Sequence, residues 1–145
     1  MYLSLAYSLC LTLLLNAQNI DSKRSRITVS GTSTLHDWEL VTTQIEGVIR
    51  FNSLDSLNIN QLEIKLESIS LKSGTEAMDE KTNELLLFEK YPWIRFTMKD
   101  SGLKDQYIVK SRGIVSVAGV EKSIDLSTQF KMSKDSLCFF GEHKL

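Results

Sequence analysis

The chain has 145 residues, with 17 Lys and Arg against 18 Asp and Glu and a net charge of -1. That length suits one domain around one core, and 42% hydrophobic with 24% charged residues excludes a disordered or collagenous chain. Nearly balanced charge without a long basic run excludes an electrostatic footprint for nucleic acid or an anionic membrane surface.

The first predicted element stands outside the domain. From Leu3 to Leu15 the chain is apolar or hydroxylated and uncharged, and Asn16-Ala17-Gln18 ends the run. It is too short to span a hydrocarbon layer of roughly 30 Å, and small Ala17 sits where cleavage would follow. Residues 1–17 therefore read as a signal peptide ahead of a domain at 18–145. The expected localisation is exported, periplasmic or extracellular, with no stable membrane insertion once the peptide is removed. Cys10 would leave with it, so Cys138, inside Leu137-Cys138-Phe139-Phe140, is expected as a lone, small buried hydrophobe rather than a nucleophile.

Beyond Arg24 the pattern has period two. Ile27 and Val29 alternate with Arg26, Thr28 and Ser30; Val41, Ile45, Ile49 and Phe51 share one parity, with Trp38 and Leu40 on the other. A strand that changes its buried face needs a bulge or bend, expected between Thr34 and Phe51. Leu62, Ile64 and Leu66 alternate with Glu63, Lys65 and Glu67, and Ile94, Phe96 and Met98 with Arg95, Thr97 and Lys99. Tyr107, Val109, Val115 and Val117 form one row, and Ile124, Leu126, Phe130 and Met132 the next. Such alternation puts one face on a core and the other in water, and six or more runs predict an all-β sandwich or barrel. Gly47 and Gly113, inside strands, suit close backbone approach. Ala118-Gly119 predicts a hairpin in which Gly119 takes positive φ.

One stretch breaks the alternation. Between Ser73 and Trp93, Met78, Thr82, Leu85, Leu86 and Glu89 recur at helical spacing, with Ser73 and Glu76, or Asp79, to cap the start and Pro92 to force the stop. Leu85, Leu86, Leu87 and Phe88 are more apolar bulk than one helix face requires, as for a helix plugging a barrel mouth.

Four short motifs now stand in order. Gly31-Thr32-Ser33-Thr34-Leu35-His36-Asp37-Trp38 resembles the S-x-L-H-D-W opening of YceI-like polyisoprenoid-binding domains. Ser73-Gly74 with Met78-Asp79 is similar to that family's entry to its helix. Lys90-Tyr91-Pro92-Trp93-Ile94-Arg95-Phe96 resembles its yP-x-I-x-F step, and Val117-Ala118-Gly119-Val120-Glu121-Lys122 its hairpin. The resemblance implies an antiparallel lipocalin-like barrel of about eight strands with one short helical insertion, holding an isoprenoid lipid. Family members typically continue a few tens of residues past Phe139 to Leu145. On that reading the chain is a C-terminally truncated fragment, or its barrel is open along one edge, where the strand from Ser136 to Leu145 ends without a return partner.

Chemistry-bearing constellations are sparse. His36 and Asp37 are adjacent, so on a strand they point to opposite faces and form no dyad; one of them is expected to tie the corner before Trp38. No G-x-S-x-G or reactive cysteine context accompanies them, and His36 and His143 lie far apart with no ligand cluster, so no catalytic residue and no metal site is expected. The runs Glu63 to Glu67 and Asp79-Glu80-Lys81 read as solvated faces. The expected function is non-catalytic binding or transport of an isoprenoid-type lipid, with no cofactor and a quinone or isoprenoid as bound ligand. The apolar lining is expected from Leu62, Ile64, Leu66, Ile94, Phe96, Val115, Val117, Leu126 and Phe130, with Trp38, Leu85 and Phe88 flanking an entrance. The alternatives are a filled barrel that pairs with a protein partner through its open edge, and a hydrolase or isomerase using His36. The sequence leaves the lipid, its headgroup and the oligomeric state open.

Overall fold

Period-two alternation becomes one antiparallel sheet that curls upon itself. The computed structural model describes residues 2–12, 17–53, 55, 58–103 and 107–145, so residues 13–16, the end of the expected leader, lie outside the described residues. The strands are β1 (Leu3–Thr12), β2 (Ala17–Asn19), β3 (Arg26–Gly31), β4 (Trp38–Thr42), β5 (Glu46–Ser53) and β6 (Asn58–Glu67), then β7 (Trp93–Leu103), β8 (Ile108–Val117), β9 (Val120–Met132) and β10 (Ser136–Lys144). Helix α1 (Glu76–Leu85) interrupts them between β6 and β7. All ten strands form one sheet in the order β2-β5-β6-β7-β8-β9-β10-β1-β3-β4. Its two ends are partly stitched: Val41 of β4 exchanges both backbone bonds with Lys72 at 2.9 Å, and Ile20 bridges Leu11 of β1 while donating to Gly47 of β5.

Leu3–Thr12, within the expected leader, is folded as a strand in the full chain. It is an interior strand, paired with β10 from Ser4 opposite Lys144 to Thr12 opposite Ser136, and with β3 from Leu3 opposite Gly31 to Ser8 opposite Arg26. The cause is a second periodicity inside the apolar run. Leu3, Leu5, Tyr7, Leu9 and Leu11 are bulky, while Ser4, Ala6, Ser8, Cys10 and Thr12 are small or hydroxylated. Two expectations are corrected in consequence. The strand at Ser136–Lys144 has partners on both sides rather than an open edge, and Cys138 is joined to Cys10 in a disulfide rather than standing alone.

The change of buried face expected between Thr34 and Phe51 is real, but it falls in a break rather than a bulge. Trp38, Leu40 and Thr42 of β4 face inward, Thr43 to Ile45 form the break, and Ile49 and Phe51 of β5 face inward again. True register shifts occur at Arg50 to Ser53 against β6 and between Met98 and Asp100 against β8, where extra residues sharpen the curl. Ala118 and Gly119 form the β8–β9 turn with φ of 50° and 78°, the two positive values of a type I′ hairpin.

Helix α1 starts and stops otherwise than expected. Thr75 is its N-cap without a side-chain bond, while Asp79 reaches back to accept from the Ser73 N–H and Oγ, both at 2.7 Å. Asp79 is thus a tie rather than part of a solvated face. The helix ends at Leu85, well before Pro92, because Leu87 adopts φ 51° and the chain turns there, with the Lys90 and Tyr91 N–H groups donating to the Leu87 carbonyl.

Candidate functional site

The inward rows do not meet in the middle. At one end of the barrel, Leu11, Ile49, Phe51, Ile59, Val109, Leu137 and Phe139 pack into a floor, with Leu137 0% exposed. Above it the walls enclose a cavity of about 850 Å³. On its helix side Leu66, Leu71, Met78, Leu86 and Ile94 pack together with Leu9, Ile27 and Leu40. Small eight-stranded barrels are often filled by their own side chains; here the interior above the floor is hollow, unlike the filled barrel of the interaction-module alternative.

Three glycines help to keep it so. A Cβ on Gly31 would strike the Trp38 ring, one on Gly113 the Phe96 ring, and one on Gly141 the Tyr7 ring. Each ring lies across a bare backbone on the neighbouring strand instead of projecting into the lumen. Trp38, Phe96 and Tyr7 all line the cavity in this flattened way.

Of the residues expected to line the interior, Trp38, Leu62, Ile64, Leu66, Leu85, Ile94, Phe96, Val115, Val117 and Leu126 do so. Phe88 and Phe130 do not. Phe130 keeps the right parity but sits at the floor, its ring centroid 6.4 Å from that of Phe139. Phe88 lies in the turn after α1, where its N–H donates to the Asn83 carbonyl. Sequence reasoning missed the β1 row Leu3, Leu5, Tyr7, Leu9 and Leu11, which lines the cavity along its length. Only the small-large alternation within the apolar run could have found it.

The polar content of the wall is slight. Tyr7 Oη and Thr128 Oγ1 are 2.6 Å apart and satisfy each other; burial pushes the Tyr7 hydroxyl above its usual range, against a smaller downward pull from Thr128. Leu85 and Val120 line the opening while remaining 69% and 68% exposed, so large apolar side chains reach its rim. The corner before Trp38 is tied differently from the expectation. Ser33 Oγ donates to the His36 carbonyl at 2.6 Å and accepts from the His36 N–H at 3.2 Å, while the His36 and Asp37 side chains stay exposed.

Residues 18–143 match the YceI-like domain family. A Campylobacter jejuni YCEI protein shares the fold with a TM-score of 0.57 at 19% identity, over 70% of this chain and 80% of that one. Burkholderia cenocepacia BcnA shares it with a TM-score of 0.62 at 7% identity, over 94% of each chain. No curated protein sequence matches the chain.

Proposed function

Because the chain belongs to the YceI-like domain family, we propose that it holds a long apolar lipid of the isoprenoid type in its cavity, as a carrier or buffer that does no chemistry on its cargo. The observation that carries this reading is the cavity itself. Its volume, about 850 Å³, lies within the roughly 300–1,000 Å³ of small-molecule sites. A hollow lined almost wholly by aliphatic and aromatic side chains stays dry, and each CH₂ moved into it stabilises binding by about 0.8 kcal/mol. Length of chain, rather than a set of converging polar groups, would then supply the affinity. The exposure of His36, away from the lumen wall, supports the non-catalytic part of the reading.

Native mass spectrometry of protein purified from its own host, followed by organic extraction, tests the proposal. The expected result is a complex carrying a long-chain lipid. A lipid-free protein that also fails to take up any long-chain compound in titration would overturn it.

Export belongs to the same proposal. It is supported by the Cys10–Cys138 pair, since such bonds persist in oxidising compartments. Cell fractionation should place the protein in the envelope or the medium; recovery in the cytoplasm with two free thiols would count against it.

A further inference from the structure

Among the described residues, the charged side chains around the cavity are all of one sign. Lys81 of α1, Arg95 of β7 and Lys122 of β9 line it, and no Asp or Glu side chain among the described residues does. The three cations differ in what already engages them. Lys81 is paired with Glu84 at 3.1 Å. Arg95 belongs to the outward row of β7, its guanidinium 5.9 Å from the Trp93 ring centroid.

Lys122 has no ion pair among the described residues. It stands in the inward row that continues through Ile124, Leu126 and Thr128, opposite Val115 of β8. Glu121, its neighbour, has the opposite parity and faces outward opposite Ser116. A lysine in an otherwise apolar inward row lays its methylene stem along the wall and keeps its ammonium at the opening. That opening is the hairpin end of the barrel, where Val120 and Leu85 reach the rim.

We propose that the ligand is a monoanionic amphiphile, a carboxylate on a long apolar chain, with its head met by Lys122 and its tail directed toward the floor at Ile49 and Phe139. Lys122 is the one unpaired cation on the inward rows among the described residues, and it matches one negative charge. A head with several charges would find no second free partner on the inner face, since Lys81 is engaged by Glu84 and Arg95 stands in the outward row beside the Trp93 ring. This inference rests on the carrier reading and adds the chemistry of the headgroup. Fatty acids and isoprenoid acids share that chemistry, and the test separates them.

Binding to the delipidated full-length chain is measured for palmitate against hexadecanol and for geranylgeranoic acid against geranylgeraniol. Each acid is expected to bind about fivefold more tightly than its alcohol at low salt, a preference that fades as salt screens the partly exposed ammonium. Lys122→Gln should remove the preference, leaving alcohol binding within about twofold, and Lys122→Glu should invert it. The tighter of the two acids names the chain type. Equal binding of acid and alcohol, or a preference that survives Lys122→Gln, overturns the headgroup assignment and leaves the carrier reading standing. Failure of all four compounds to bind overturns the carrier reading itself, and this inference with it.

Discussion

Leu87 and Ala118 hold left-handed backbone, with φ of 51° and 50°, although neither is glycine. A Cβ in that region costs roughly 1–2 kcal/mol, and both residues sit where the fold must turn, one ending α1 and the other opening the β8–β9 hairpin. Leu87 is largely exposed, so replacing it sacrifices little packing. Leu87→Gly and Ala118→Asn should each stabilise the protein by about 0.5–1 kcal/mol, after the extra unfolded-state freedom of glycine is subtracted. Denaturant midpoints check this, and an unchanged or lowered midpoint for both would show that the turns are relaxed as they stand. Asp79 offers a test by pH. The Ser73 N–H and hydroxyl, and more weakly the Lys72 ammonium, hold its carboxyl below the usual carboxylate range. A depressed folded value gives stability that is present above the ordinary value, about 3.9, and is lost as pH falls through the folded one. Asp79→Asn should therefore lower stability at neutral pH and flatten the acid limb of the stability curve below about pH 4. Melting curves across that range would decide, and parallel curves for the two proteins would exclude Asp79 as the source.

At the scale of elements, most strands were legible because each had one wet face. Leu62, Ile64 and Leu66 alternate with charged residues, and that contrast alone fixed which side of β6 meets the core. Strand β1 was illegible for the opposite reason. Its outward residues are Ser, Ala and Cys, so the contrast between its faces is one of size rather than polarity, and a hydropathy reading sees a uniform apolar run. The helix was legible as a helix, but its ends were not, since a left-handed leucine at its C-terminus has no sequence signal comparable to glycine. The position of β1 has a measurable consequence. It is hydrogen-bonded to both β10 and β3, carries buried Leu9, Cys10 and Leu11, and is bridged to β10 through Cys138. A chain beginning at Gln18, as signal cleavage would produce, exposes two strand edges and one long side of the cavity. At about 0.5–1.5 kcal/mol for each lost ladder bond, such a chain should be several kcal/mol less stable than the full chain, or should self-associate through the vacated edges. Thermal melts and sedimentation of the two side by side test this. Equal melting temperatures with a monomeric short form would mean that the barrel stands without β1, as the leader reading requires.

At the scale of the whole molecule, parity told which residues face inward, but not whether the inward rows touch. The same alternation describes a filled barrel and a hollow one. What separates them is the pairing of Trp38, Phe96 and Tyr7 with bare glycines on adjacent strands, and pairing depends on register, which a single sequence does not display. The two ends of this barrel should consequently respond in opposite ways to a change in side-chain volume. At the floor, Leu137 is fully buried among close neighbours, so Leu137→Ala should cost about 2–5 kcal/mol in lost burial and residual cavity. In the hollow, Leu126 lines the cavity from β9, opposite Ser111 of β8, which lines it too. Adding bulk to a packed core typically costs about 1–3 kcal/mol through forced rotamers and backbone shifts. Leu126→Trp should escape that penalty, because its ring enters open space; stability should stay within about 1 kcal/mol of the parent while lipid uptake falls by tenfold or more. Denaturant titration together with a lipid-binding assay on both variants checks the contrast. If Leu126→Trp instead destabilises the lipid-free protein as a core insertion would, the barrel is filled in solution, and the carrier proposal loses the observation on which it stands.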